Sequence, residues 1–97
     1  MANYCTNLFF ASTENEQDLN MIEKYLDEHF ETYLEVYEDT LDGEFTSRWT
    51  FPCESIDEMM KNIQEPNKLY IRILSHELQC EYVSFRTFSQ GKWNIHY

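Results

Sequence analysis

The sequence predicts a single α+β domain, a ferredoxin-like two-layer sandwich of the order βαββαβ with an additional C-terminal β-hairpin. Two amphipathic helical segments alternate with short segments in which apolar and polar residues take turns. Helices that connect antiparallel strands favour two helices packed on one face of a sheet. The 97 residues, 42% of them hydrophobic and 16% aromatic, suit one core and one domain spanning residues 1–97.

The N-terminal third predicts a strand followed by a helix. Residues 4–11 are typical of a strand and end in a polar run. Thr13 and Glu16 have the spacing of a capping box, which predicts a helix start. The apolar face of this helix carries Leu19, Ile22, Leu26 and Phe30, and its polar face carries Asp18, Glu23, Asp27 and Glu28.

The middle third predicts a hairpin. Residues 32–38 and 44–51 alternate as strands, and Asp39–Gly43 between them is typical of a turn in which Gly43 adopts a positive φ. Pro52 ends the second strand. One face of that strand carries Phe45, Ser47, Trp49 and Phe51.

The last third predicts a second helix and three more strands. Ser55 and Glu58 repeat the capping-box spacing, which predicts a helix to about Gln64, before Pro66. The strands are predicted at residues 68–75, 80–88 and 92–97, with turns at His76–Gln79 and Gln90–Gly91.

Acidic residues are concentrated in the first two thirds of the chain. Residues 1–65 contain sixteen acids and three bases, a net charge of −13, whereas residues 66–97 contain two acids and four bases, a net charge of +2. Twelve acids and one base lie between Glu14 and Glu44. Because such a surface repels nucleic-acid phosphates and anionic lipids, we expect neither as a direct partner. We expect a protein partner, and a basic protein surface is one that this charge would attract.

The cysteines and the N-terminus favour a cytoplasmic protein. Cys5, Cys53 and Cys80 are an odd, scattered set, which argues against a secreted disulfide framework. The N-terminus has no signal-peptide pattern, and no apolar run approaches the length of a membrane span.

Three short motifs carry a family resemblance. They are MANYCTN at residues 1–7, FTSRWTFP at residues 45–52 and the closing Gly91-Lys92-Trp93. They resemble the start, the central strand and the last hairpin of the YubB-type ferredoxin-like domain family of small phage and plasmid proteins. The resemblance implies the same fold and an origin on phage or mobile DNA, and it implies no activity.

The residues that could carry chemistry form no catalytic or metal-binding motif. The three cysteines and three histidines show neither C-x-x-C nor H-x-x-x-H spacing. Cys53 precedes the second predicted helix, where a thiolate is stabilised, but no histidine base lies near it in sequence, and a structural role is favoured. Gly43 and Gly91 are the only glycines, which excludes glycine-rich phosphate loops. We therefore expect no enzyme activity, no cofactor and no metal.

The sheet face away from the helices is one candidate binding surface. If Leu34, Val36, Phe45, Trp49, Ile71 and Ile73 point to the helices, strand alternation sends another set to the opposite face. That set is Tyr33, Glu35, Tyr37, Arg48, Tyr70, Arg72 and Tyr82, with Arg86 as a further candidate. Tyrosine and arginine are enriched at binding hot spots. Because exposed aromatic patches are usually covered, the favoured alternative is that the C-terminal hairpin or a second copy covers this face. In that alternative Arg48 and Arg72 pair with glutamates.

An acidic belt is the second candidate surface. Its residues are Glu16, Glu23, Asp27, Glu28, Glu35, Glu38, Asp39, Asp42 and Glu44. Acids of this density either keep the protein soluble, the favoured interpretation, or imitate a row of phosphates.

Three functions are consistent with these patterns. The first is a small acidic non-enzymatic binding or regulatory protein of phage or mobile-element origin that engages a protein partner. The second is a nucleic-acid mimic that inhibits a basic DNA- or RNA-binding protein. The third is a small hydrolase or ligand sensor. A homodimer is left open.

Overall fold

The computed structural model describes residues 4–48, 50–79 and 81–96, and these form one antiparallel sheet with two helices. The strands are β1 (Tyr4–Ser12), β2 (Glu31–Tyr37), β3 (Thr40–Arg48), β4 (Tyr70–Glu77), β5 (Tyr82–Ser89) and β6 (Lys92–His96). The helices are α1 (Glu16–His29) and α2 (Cys53–Met60), and a 3₁₀ turn spans Pro66–Lys68. The strands lie in the order β2-β3-β1-β4-β5-β6.

The prediction of a ferredoxin-like α+β sandwich is wrong. Strands hold 51% of the described residues and helices only 27%, so the molecule is mostly β. The C-terminal hairpin of β5 and β6 was predicted as an addition to the fold, but β5 pairs with β4 and the hairpin continues the same sheet. Because a helix is about 10 Å wide and strands lie about 4.8 Å apart, two helices cover about four strands of the six.

The core lies between the helices and one side of the sheet. Helix α1 contributes the predicted apolar residues Leu19, Ile22 and Leu26, all of which are buried. Helix α2 contributes Ile56 and Met59. The sheet contributes Phe9, Ala11, Leu41, Phe45, Ile71, Ile73 and Phe88. Each fully buried aliphatic side chain stabilises the fold by roughly 1.5–3 kcal/mol, so this cluster holds the helices on the sheet.

Helix α1 begins at Glu16, two residues later than a capping box with Thr13 as the N-cap predicts, and it has a different cap. Asn15 is the N-cap, and its Oδ1 accepts a hydrogen bond from the backbone N–H of Asp18 at 2.9 Å. The prediction that Asp18 lies on the solvated face is wrong, because its side chain is buried. Its carboxylate accepts hydrogen bonds from the backbone N–H groups of Gln64 and Glu65, which ties α1 to the segment after α2.

The turn between β2 and β3 is shorter than predicted. Tyr37 pairs with Thr40, so the turn consists of two residues, and Glu38 within it has φ 54°. Gly43 has the expected positive φ, 151°, but lies inside β3. A Cβ there would collide with the backbone carbonyl oxygen of Tyr33, so the position requires glycine.

Helix α2 begins earlier than predicted. It starts at Cys53, directly after Pro52, which serves as the N-cap without a side-chain hydrogen bond. The predicted capping box of Ser55 and Glu58 is therefore wrong, since both residues lie inside the helix. No helix in the described ranges is long and apolar enough to cross a membrane.

Candidate binding surface on the open sheet face

Strand alternation divides the sheet into a covered face and an open face. In β1 the residues Cys5, Asn7, Phe9 and Ala11 are buried, whereas the alternate residues are exposed or half-buried. Phe9 and Ala11 belong to the same core cluster as the buried residues of the helices, so this side of the sheet is the covered face. The described part of the chain places no element over the other side, which we call the open face. The hairpin β5–β6 lies in the plane of the sheet, so the prediction that it covers this face is wrong.

Five of the six aromatic and basic residues predicted for this surface do lie on the open face. They are Tyr33, Tyr37, Arg48, Tyr70 and Arg72. Tyr82 is misplaced by the prediction: its partner in β4 is the buried Glu77, and its hydroxyl donates to Ser84 Oγ on the covered face at 3.1 Å. Arg86 lies two positions beyond Ser84 on the same strand, so strand alternation places it on the covered face as well. The sequence-predicted inward residue Trp49 lies outside the described residues.

Three residues on adjacent strands form a row across the centre of the open face. Phe10 in β1 is directly opposite Asp42 in β3 and directly opposite Arg72 in β4. The guanidinium carbon of Arg72 lies 4.7 Å from the centroid of the Phe10 ring, in a cation–π contact. The prediction that Arg48 and Arg72 pair with glutamates is wrong, since neither forms an ion pair in the described residues.

The neighbouring row is apolar and forms a shallow depression. Leu8, Leu74 and Phe85 lie side by side on β1, β4 and β5. Together with Phe10 they line a depression of about 350 Å³, with Asp42 and Arg72 also in its lining. Leu8, on the central strand β1, remains 42% exposed.

Charge on the open face is separated into two halves. The open side of β2 and β3 carries four acids, Glu31, Glu35, Asp42 and Glu44, and one base, Arg48. The open side of β4 to β6 carries no carboxylate in the described residues, and it carries Arg72, His76, Lys92 and His96. Glu35 and Asp42 are directly opposite each other on neighbouring strands, an arrangement that costs stability because like charges repel.

The predicted acidic belt is divided between the two sides of the sheet. Glu16, Glu23, Asp27 and Glu28 lie on α1, on the covered side, where Lys24 lies 4.0 Å from Glu28. Glu38 and Asp39 lie in the turn, and Glu35, Asp42 and Glu44 lie on the open face. The belt is therefore not one continuous row, and its open-face part adjoins the aromatic residues.

Sequence reasoning missed a buried polar cluster on the covered face. The Asn7 amide donates to Ser47 Oγ at 3.0 Å and to the Phe45 carbonyl at 3.1 Å, and the Asn7 Oδ1 accepts from Ser75 Oγ at 2.6 Å. Nearby on β5, Arg86 Nη2 donates to Ser84 Oγ at 3.3 Å. The signal in the sequence that could have revealed this cluster is the presence of polar residues at inward-facing positions of strands whose other inward-facing residues are mostly apolar.

Arg86 also anchors the segment before α2. Its guanidinium carbon lies 3.6 Å from the centroid of the Phe51 ring, and the Phe51 N–H donates to the Tyr82 hydroxyl at 3.5 Å. Arg86 is 8% exposed, and its Nε has no hydrogen-bond partner in the described residues. The contact stabilises the start of α2.

Neither described cysteine has the environment of a nucleophile. Burial raises the pKa of the Cys5 thiol. Partial burial and then the Asp57 carboxylate raise the pKa of Cys53, whose Sγ lies 3.6 Å from Asp57 Oδ2. These effects oppose thiolate formation, although the helix N-terminus would favour it. Cys80 lies outside the described residues.

Metal binding has no support among the described residues, where no group of three or more histidine, cysteine or acidic side chains could hold an ion. The open face, with its depression and its separated charges, is the surface that remains as a candidate functional site.

Comparison with protein-family models, with curated proteins and with solved structures gives no match to this chain, so the resemblance to the YubB-type family stays a prediction.

Proposed function

We propose that this protein is a small non-enzymatic binding or regulatory protein that engages a protein partner through the open face of its sheet. One observation carries the proposal: large apolar side chains and like-charged acids are exposed together on a face that no described element covers. The partner surface that complements this face is basic opposite β2 and β3 and apolar opposite β1 and β4.

Large aromatic side chains of the open face are strongly exposed to solvent. Tyr33 and Tyr37 on β2 are 69% and 73% exposed, and Tyr4 on β1 is 61% exposed. Exposed apolar patches on a soluble protein mark interaction sites. Tyrosine supplies a large rigid contact area with a polar tip, so it gains binding energy at low entropic cost.

The electrostatic part rests on acids without counter-ions. The three ion pairs among the described residues are Lys24–Glu28, Lys61–Glu58 and Lys68–Glu65, and none of them includes an acid of β2 or β3. A basic partner would relieve the repulsion between Glu35 and Asp42 and would be steered to this end of the face. The repulsion is then a cost to the free protein that binding removes.

Affinity capture with matched variants tests the proposal. The immobilised protein is compared with Tyr33→Ala/Tyr37→Ala, with Glu35→Gln/Asp42→Asn, and with the control Glu14→Gln/Glu54→Gln, which neutralises two exposed acids away from the open face. We expect specific proteins held by the wild type and the control to be lost from both open-face variants. Retention of the same proteins by all four baits would overturn the proposal.

A nucleic-acid mimic is the second candidate, favoured by the acids on neighbouring strands. Asp42 and Glu44 are two residues apart on the same side of β3, about 6.8 Å from each other. Tyr33 and Tyr37 interrupt the acids along β2, which a continuous phosphate imitation would not need. A mimic predicts that Glu35→Gln/Asp42→Asn abolishes capture and that Tyr33→Ala/Tyr37→Ala does not, with a steep loss of binding as salt rises.

A further inference from the structure

Resting on the proposed function, we infer that the depression on the open face receives one large apolar side chain of a partner segment, with a cationic group of that segment on Asp42 and an anionic group on Arg72. The inference adds the order of chemical groups that the partner must present: cation, apolar side chain, anion. It makes Arg72 the specificity-determining residue for the anionic end.

The register of the sheet sets the spacing of the two charges. Asp42 and Arg72 are both directly opposite Phe10, one on each side. Two strand spacings, about 10 Å, separate their backbones, and the guanidinium of Arg72 lies over the ring of the intervening Phe10. No ion pair joins them in the described residues, because Phe10 lies between them. The opposite charges are therefore held apart, and each is available to a ligand.

The apolar part of the site is the row beside Phe10. Leu8, Leu74 and Phe85 border the depression, whose volume of about 350 Å³ accommodates a leucine- or phenylalanine-sized side chain. The depression is open to solvent, so an anchor side chain would enter from above the sheet. Hot spots of protein interfaces are side chains that anchor in pockets and are desolvated there.

The state of Arg72 favours a carboxylate at its end of the site. Its guanidinium carbon lies 4.7 Å from the centroid of the Phe10 ring. It forms no ion pair in the described residues, and a planar guanidinium binds a carboxylate through two parallel N–H donors. Asp42, with Glu35 opposite it, provides a doubly negative environment for a lysine or arginine.

A second copy of the chain is a less suitable occupant than a partner segment. Each copy carries a net charge of −11, so association of two copies brings like charges together. Nucleic acid is disfavoured by Asp42 in the lining of the depression and by the other acids on the open side of β2 and β3. A protein segment with mixed charges has neither disadvantage.

Peptide probes of defined sequence test the inference. The probe is the acetylated, amidated pentapeptide Lys-Ala-Leu-Ala-Glu, which in an extended conformation places its three long side chains on one face. Its controls replace leucine by alanine, or glutamate by glutamine. Binding is followed by NMR through the methyl groups of Leu8 and Leu74, with those of the buried Leu19 and Leu26 as internal references.

We expect saturable shifts of the Leu8 and Leu74 methyl signals at millimolar peptide. The dissociation constant should rise about tenfold when the peptide leucine is replaced. It should rise about threefold when the glutamate is replaced, the effect of one exposed ion pair. In Arg72→Gln the glutamate and glutamine peptides should bind equally, whereas in the control Arg48→Gln the preference for glutamate should persist.

Equal binding of all three peptides to the wild type, or no saturable shift of the Leu8 and Leu74 methyl signals, would overturn the inference. So would a concentration-dependent change of the same signals without peptide, since that shows a second copy on the face. Loss of capture in the open-face variants, with no response to the peptides, would leave the proposed function standing and reject only this order of groups.

Discussion

Asn7 connects three strands through one buried side chain. It lies on β1, and its amide and carbonyl groups contact Phe45 and Ser47 of β3 and Ser75 of β4. These bonds are directional, and they have partners only in the observed register. Asn7 therefore specifies how β3 and β4 align on β1, which in turn places Asp42 and Arg72 on either side of Phe10.

Replacing Asn7 tests this role. In Asn7→Ala the Phe45 carbonyl and the hydroxyls of Ser47 and Ser75 lose a partner in a buried environment, so we expect the free energy of unfolding to fall by about 3 kcal/mol. Urea unfolding followed by circular dichroism measures it. Asn94→Ala, at an exposed position of β6, is the control, with an expected change within about 0.5 kcal/mol. Equal effects of the two substitutions would contradict the role of Asn7.

Single elements were predictable where the pattern is local. The strand predicted at residues 4–11 differs from β1 by one residue at one end, and the strand predicted at residues 32–38 differs from β2 by one residue at each end. Of the predicted apolar face of α1, Leu19, Ile22 and Leu26 are buried in the helix, whereas Phe30 is its half-buried C-cap. These features depend on the period of the hydrophobic pattern, which the sequence displays directly.

Features set by contacts between elements were not predictable in this way. The position of the β2–β3 turn follows from the pairing of Tyr37 with Thr40, and the orientation of Tyr82 follows from its pairing with Glu77. Alternation shows that residues 82, 84, 86 and 88 share a side but does not say which side. Whether the C-terminal hairpin extends the sheet or folds over it is also a tertiary choice, and it decided both the fold class and the exposure of the candidate surface.

Glu35 and Asp42 form a like-charged cross-strand pair within the hairpin of β2 and β3. Asp42→Asn removes a like-charge contact, so we expect the free energy of unfolding to rise by about 0.5 kcal/mol. Glu31→Gln is the matched control, because the residue opposite Glu31 is the uncharged Thr46. A fall in stability for Asp42→Asn, or an equal rise for Glu31→Gln, would show that the pair itself has no cost.

At the scale of the whole molecule, the two sides of the sheet have different tasks. The covered side contains the apolar core and the polar cluster around Asn7, so its residues determine stability and register. The open side contributes little burial to the fold, which leaves its residues available for binding. Acids without counter-ions on that side then reduce stability in the free protein and increase affinity for a basic partner, so stability and binding should respond to salt in opposite directions.

The net charge of −11 makes this opposition measurable. Raising sodium chloride from about 0.02 M to about 0.5 M screens the repulsion among exposed carboxylates, so we expect the free energy of unfolding to rise by about 1 kcal/mol. Urea is the suitable denaturant because it is uncharged. The same change of salt should weaken capture of a basic partner.

A variant with fewer acids on the open face distinguishes screening of those carboxylates from a general effect of salt on the stability of the protein. In Glu35→Gln/Asp42→Asn/Glu44→Gln three acids of the open face are neutral, so the gain in stability on adding salt should be smaller than in the wild type. Capture of a basic partner by this variant should also depend less on salt, because fewer carboxylates take part. An identical gain in stability on adding salt in the variant and the wild type would mean that the repulsion between carboxylates lies elsewhere on the molecule. It would contradict the proposal that the acids of the open face destabilise the free protein.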